Sequence, residues 1–396
     1  SSPFRQLLTP EGLADPSLVH GHLRAASQAG ESIGNLVIDW AGATEVLNHA
    51  EMSSDRVDAI CRPLDAGTRA EIEPVHETLK AIIAFQDPPD HTRIRKLLRQ
   101  AFTPRVLRHQ QEVVESTVSE FVAKLGPAAV DGVVDIHAVV AYPFPAAVIS
   151  RMLGVPESEH ERFQKWANDI VLFVGSGRLD AQIARSTLES VIELRAFMPE
   201  LVAARRADPG PDLLTSMIEA SDDLGHLTEN EIFSNALFLM TAGHETATNG
   251  ISNGLLALLR HRDQFELFRR APELLESAVE EMLRFESPVQ MTPRLARHEC
   301  TIQGHELERG EALVVMLGAA NRDPDQFPEP ERFDISRADN RHLAFGFGTH
   351  WCLGGNLARQ EMRAVLAAVA GEFGELRLAA EPDWQPTLNF RGPSSL

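Results

Sequence analysis

Aromatic residues are scarce in this chain of 396 residues, at 6% with a single tyrosine. Cysteine is scarcer still. The three present, Cys61, Cys300 and Cys352, lie far apart in sequence, so they form no disulfide framework and suit a reducing compartment. No apolar run approaches the ~20 residues of a membrane span. The opening stretch, SSPFRQLLTPEG, lacks the charged-then-apolar pattern of a signal peptide, and it does not begin with Met, so the start is expected to be processed or trimmed. Together these absences predict a soluble cytoplasmic protein with no membrane partner. Positive charge is also short: 37 Lys and Arg against 57 Asp and Glu leave a formal net charge of −20. A surface that acidic argues against nucleic acid as the main partner, while leaving room for a local basic patch that meets an acidic protein. Apolar residues are plentiful at 43%, enough for a large buried core.

Helical patterning dominates. Thr228-Glu-Asn-Glu231 is a capping box followed by the mostly apolar run IFSNALFLM, which predicts a long helix over 228–260. Pro272 suits the first turn of the next helix, which should stop before Ser287-Pro288. A further helix is expected after Cys352, and earlier ones near 91–101, 104–125, 143–153, 157–173 and 181–206. Strand signals are short, at 33–38, 300–307 and 311–317. The stretch 319–340 carries three prolines and reads as a long ordered loop, a type that is uncommon unless functional. Ala207–Pro211 reads as a turn between helices, not as a linker, and no internal repeat is present. The economical organisation is one mainly α domain over residues 1–396.

The most informative segment is Phe345-Gly-Phe-Gly-Thr-His-Trp-Cys-Leu-Gly354. Physically it is a glycine-rich loop presenting one cysteine at the start of a helix, where backbone N–H groups and the helix dipole favour a thiolate. Its glycines permit turns, or the close approach of something flat. A lone thiolate suits an axial ligand of haem iron better than zinc or an iron–sulfur cluster, which need three or four ligands.

This F-x-x-G-x-x-x-C-x-G pattern resembles the haem-binding loop of the cytochrome P450 family, the haem-thiolate monooxygenases. Trp351 is bulkier than the family's usual residue there and is expected to stay near the surface on the cysteine side. Three other segments follow the family's order. Thr241-Ala-Gly-His-Glu-Thr246 lies inside the long helix, with Leu239, Gly243, Thr246 and Gly250 on one face. Taken alone, a small-residue helix crossing would explain it. Thr246 can bond back to the carbonyl of Ala242 and loosen the helix locally. The resemblance implies that Glu245 and Thr246 are the catalytic acid–alcohol pair that delivers protons. His244-Glu245 does not begin a zinc-protease motif, because position 248 is Thr. Glu281-Met-Leu-Arg284 is an ordinary ion-pair spacing, but the family buries this pair and ties it to a third Arg, for which Arg332 is the expected residue. Finally, His91 and Arg95 stand one turn apart on one helix face. The resemblance implies that these two, with Arg294 and His350, are charge-assisted donors to the haem propionates, with Cys352 as the iron ligand.

The resemblance covers roughly residues 85–355 by its motifs. It implies a flattened helical prism with small β-sheets, holding haem b (iron protoporphyrin IX) between the long helix and the cysteine-loop helix. The implied reaction inserts one oxygen atom from dioxygen into a small apolar substrate by hydroxylation or epoxidation, in secondary metabolism or catabolism. Electrons would come from a separate ferredoxin with its ferredoxin reductase. Such a donor would dock on the cysteine side, where Arg93, Arg99, Arg341, Arg359 and Arg363 are the expected basic patch. The alternatives are a peroxide-driven haem-thiolate enzyme, which the acid–Thr pair disfavours, a haem-thiolate isomerase or dehydratase, and a haem-based sensor, for which no output domain is evident. Pocket candidates by position are Leu79, Ile82, Ile83, Phe85, Leu172, Phe173, Leu239, Met240, Val289, Met291 and Phe390, with Arg391 and Arg178 as weaker candidates for an anionic substrate group. For any one of them, plain core packing is the better explanation.

Overall fold

The capping box closes as its spacing dictates. In the computed structural model, which describes residues 3–175, 179–223, 225–373 and 375–396, the Thr228 N–H donates to Glu231 Oε2 (2.8 Å), and the Glu231 N–H donates to Thr228 Oγ1 (3.2 Å). The helix they open runs unbroken over Glu229–Arg260. The chain divides into two compact units. One comprises Ser1–Ser53, Val118–Tyr142 and Thr246–Leu396, the other Ser54–Thr117 and Pro143–Glu245.

The first unit holds a four-stranded sheet in the order Leu36–Val37, Ala312–Val315, Thr292–Ala296, Met52–Ser53. The first pair is parallel and the others antiparallel, with Leu36 opposite Val314, Arg294 opposite Leu313 and Met52 opposite Ala296. Val37, Val46, Leu47, Leu313 and Val315 form the core on this sheet. The stretch 300–307 is a hairpin, Cys300–Ile302 with His305–Leu307. It turns on Gln303 and Gly304, whose φ values of 53° and 75° meet the two positive angles of a tight hairpin turn. Thr292–Ala296 went unpredicted because Pro293, which removes a ladder donor, stands inside it. Pro272–Leu274 forms a 3-10 turn leading into helix Leu275–Phe285, and helix Gly355–Glu372 buries Leu357, Met362, Val365, Leu366 and Val369. That 3–4 spacing makes one apolar stripe.

The second unit is helical apart from a small hairpin at 221–226. It contains Glu73–Lys80, Asp90–Ala101, Pro143–Met152, His160–Gly175, Ala181–Ala207 and Leu213–Glu219. Asp180 caps the longest of these by accepting from the N–H groups of Gln182 and Ile183 (both 2.9 Å). Asn235 on the long helix accepts from Ile83 N–H (3.0 Å) and donates to the Ala81 carbonyl (3.1 Å), fixing the 81–86 segment on that helix. Expected helices thus recur within a few residues, and Pro104–Val122 stops slightly short of 125. The N-terminal helices Ser17–Gln28 and Trp40–Asn48 were not anticipated. Among the described residues no helix is long and apolar enough to cross a membrane.

Candidate active site

Backbone geometry, not helix position, presents the cysteine. Gly346 and Gly348 take φ of 72° and 70°, the left-handed region that favours glycine. At Gly348 a Cβ would also come within 2.6 Å of Asn48 Oδ1. The loop is pinned by Gly346 N–H to the Leu343 carbonyl (2.8 Å) and by Cys352 N–H to the Phe345 carbonyl (2.9 Å). The following helix starts only at Gly355, so Cys352 precedes its first turn. Cys352 is half-buried. Trp351, also half-buried, packs over that turn, and a Cβ on Gly355 would meet its ring at 3.1 Å. Cys61 is buried, which pushes its thiol up, and Cys300 sits in the small hairpin. Among the described residues no three His, Cys, Asp or Glu side chains gather as a metal site. A single half-buried sulfur on a loop fixed by backbone bonds fits the protein ligand that a haem iron takes from a cysteine.

Behind the loop, Glu281 and Arg284 are fully buried. Arg284 grips Glu281 through Nε and Nη2 (2.8 and 2.9 Å), a fork matched to a carboxylate. The third arginine is not the one expected. Arg337 donates through Nε to Glu281 Oε2 (3.1 Å), whereas the Arg332 side chain is 57% exposed and offers only its carbonyl, to Arg284 Nη2. Asn340 Nδ2 and the Asp334 N–H complete the donors on Glu281. The punctuated stretch after 320 is therefore an ordered loop wrapped around one carboxylate.

The expected basic patch is largely neutralised. Arg359 forks onto Glu280 (2.6 and 2.8 Å), Arg363 pairs with Glu276, Arg341 with Asp339 (2.9 Å) and Arg93 with Glu231. Arg99 is exposed. Burial would raise the Glu280 carboxyl, but hydrogen bonds from Arg359 and His342 outweigh it and hold the pKa at about 2. A folded value below the ordinary 4.5 means the stabilisation is complete above 4.5 and is lost as the pH falls toward 2. Denaturation midpoints followed through that window should therefore fall more steeply for wild type than for Glu280→Gln.

On the long helix, Glu245 and Thr246 are half-buried and His244 is buried. The glycines of its small-residue face serve packing. A Cβ on Gly243 would touch Ile149 at 3.4 Å, and one on Gly250 would touch Met362 Sδ at 3.3 Å. His91 is buried in the first turn of helix Asp90–Ala101, with Arg95 half-buried one turn on. Arg294 is buried on its strand, donating to Thr292 Oγ1 (3.1 Å) and the Pro293 carbonyl (3.0 Å), and His350 ends a 3-10 turn two residues before Cys352. Thr246, Arg294, His350 and Cys352 belong to one compact unit, and His91, Arg95 and Glu245 to the other.

Most pocket candidates are buried: Leu79, Ile82, Ile83, Phe85, Phe173, Leu239, Met240 and Met291. Leu172 is instead 46% exposed, and Val289 bridges to Phe390. Arg391 is spoken for, since its Nε donates to Glu286 (2.7 Å) and its guanidinium lies over Trp384. Arg178 lies outside the described residues. Sequence reading missed Arg337, His342 and Glu280, because nothing local distinguishes them from surface charges.

The comparisons with known proteins agree with this geometry. The Cytochrome P450 family model matches residues 62–270 and 269–383. The chain is 39% identical over 324 residues to 6-deoxyerythronolide B hydroxylase of Saccharopolyspora erythraea, covering 81% of this chain and 78% of that one. It is 36% identical over 399 residues to cytochrome P450 monooxygenase PikC of Streptomyces venezuelae, covering 97% and 90%. Among solved structures, P450BioI in complex with hexadec-9Z-enoic acid ligated acyl carrier protein superposes with a TM-score of 0.87 at 30% identity, over 98% of each chain. A glycine loop presenting one cysteine, a buried Glu–Arg clamp behind it and a fold shared over nearly its whole length place this chain in the cytochrome P450 family, the haem-thiolate monooxygenases.

Proposed function

We propose that residues 1–396 form one domain that holds haem b on Cys352 and inserts one oxygen atom from dioxygen into a small apolar molecule. The observation that carries this is the half-buried Cys352, fixed by the Phe345 carbonyl on a loop with two left-handed glycines. His91, Arg95, Arg294 and His350 would hold the propionates as charge-assisted donors to their carboxylates. Bound haem would supply the iron at which dioxygen is reduced, with the thiolate pushing electron density that favours O–O cleavage. An apolar substrate agrees with the aliphatic residues of the 79–85 segment and with the relatives, one a 6-deoxyerythronolide B hydroxylase and another crystallised with a hexadecenoic acid on its carrier protein. The likeness to the 6-deoxyerythronolide B hydroxylase favours a place in secondary metabolism over catabolism. A cytoplasmic location and electrons from a separate ferredoxin and its reductase follow from the resemblance. The ion-paired arginines give the ferredoxin reading no added charge argument.

Thr246 is assigned to hold a proton-bearing water by its hydroxyl, and Glu245 to carry protons inward by rotating. Thr246→Ala should still bind substrate and consume dioxygen, but release more hydrogen peroxide and less product per reduced nicotinamide consumed. Glu245→Gln should slow turnover as a whole. A fully coupled Thr246→Ala would overturn this role for Thr246, the substrate then supplying its own hydroxyl, whereas product formed with no reduced nicotinamide consumed would favour isomerase-type chemistry. Spectral titration with candidate metabolites, following the haem spin state, then identifies the substrate.

A further inference from the structure

Glu280, the neighbour of the clamp carboxylate, faces the cysteine loop through two bases. Arg359, from the helix after the loop, forks onto it and lays its guanidinium over the Phe345 ring, 4.3 Å from the centroid. His342, its side chain 2% exposed, places Nε2 3.0 Å from Glu280 Oε2. On the other side of the same imidazole, Nδ1 lies 3.2 Å from the Ala344 N–H. A backbone N–H can only donate, so Nδ1 must accept, and the ring proton therefore sits on Nε2 and points to Glu280. One carboxylate thus holds two consecutive loop residues, Ala344 by its N–H and Phe345 by its ring. The Phe345 carbonyl in turn receives the Cys352 N–H.

We propose that His342, fixed as its Nε2–H tautomer between Glu280 and Ala344, is a positioning residue for Cys352, working in parallel with Arg359. It touches neither substrate nor haem by this reading; it sets the backbone from which the thiolate projects. The proposal rests on Cys352 as the ligand. A loop freed at residue 344 lets the Phe345 carbonyl move, and the sulfur is then held less firmly where it would meet the iron.

The test is the reduced carbon-monoxide complex of the haem-loaded enzyme, read as the share showing the thiolate band and the rate at which that band converts to the thiol-type band. His342→Ala should convert several-fold faster than wild type. His342→Asn should recover part of the difference, because its Oδ1 can stand where Nδ1 was and accept from Ala344, although it does not reach Glu280. Arg359→Lys, which keeps the charge but loses the fork and the stacking, should also convert faster. A wild-type conversion rate in His342→Ala would overturn the proposal, as would an Asn variant no better than Ala. If His342→Ala takes up no haem, His342→Asn and Arg359→Lys decide it alone. A wild-type enzyme without the thiolate band would instead overturn the assignment of Cys352.

Discussion

Cys352→His removes the thiolate band of the reduced carbon-monoxide complex and takes monooxygenase activity to background, while the fold persists. The loop should survive the exchange because residue 352 is held by a backbone bond and the side chains that hold the loop, His342 and Arg359, are unchanged. Cys352 contributes its N–H to the Phe345 carbonyl, which any residue but proline supplies, and the left-handed turns belong to Gly346 and Gly348. What is lost is a charged sulfur donor. An imidazole can ligate iron but is neutral, and it does not push electron density as a thiolate does. No other cysteine substitutes: Cys61 is buried in the other unit with its thiol pushed up by burial, and Cys300 lies in a hairpin. Retention of the wild-type band in this variant would show that Cys352 is not the ligand.

Local chemistry was legible in the sequence where one segment carries its own instructions. The Thr228–Glu231 box closes within four residues, and the left-handed turns of the cysteine loop fall on its own Gly346 and Gly348. Legibility failed where the partner is distant in sequence. Five arginines looked like a patch because nothing near Arg359 or Arg363 announces that Glu280 and Glu276, on another helix, will neutralise them. Strand Thr292–Ala296 was hidden by Pro293, whose missing N–H the sheet tolerates. The clamp shows both sides. Glu281 and Arg284 were found by spacing, but Arg332 and Arg337 stand in the same irregular loop, and only the folded chain turns one inward.

That difference sets up the second large effect. Glu281 is fully buried, and its donors are Arg284, Arg337, Asn340 and the Asp334 N–H. Arg284 is likewise buried, with its remaining N–H groups on the carbonyls of Asn321, Pro330 and Arg332. Removing either charge strands the other away from water, which costs about 3–5 kcal/mol. Against a total stability of about 5–15 kcal/mol that is a large share. Arg284→Ala should therefore lower the denaturant midpoint sharply and impair haem uptake, since the three carbonyls it gathers belong to the loop leading to Cys352. Arg337→Ala should move the midpoint in the same direction by less, because Arg284 still holds both oxygens of Glu281. Arg332→Ala should stay within about 0.5 kcal/mol of wild type, as an exposed side chain on an exposed Glu329 partner contributes little. Equal losses from Arg332→Ala and Arg337→Ala would restore Arg332 as the third member of the clamp. A mild Arg284→Ala would mean that water reaches Glu281 and that the pair is not the closed unit its burial describes.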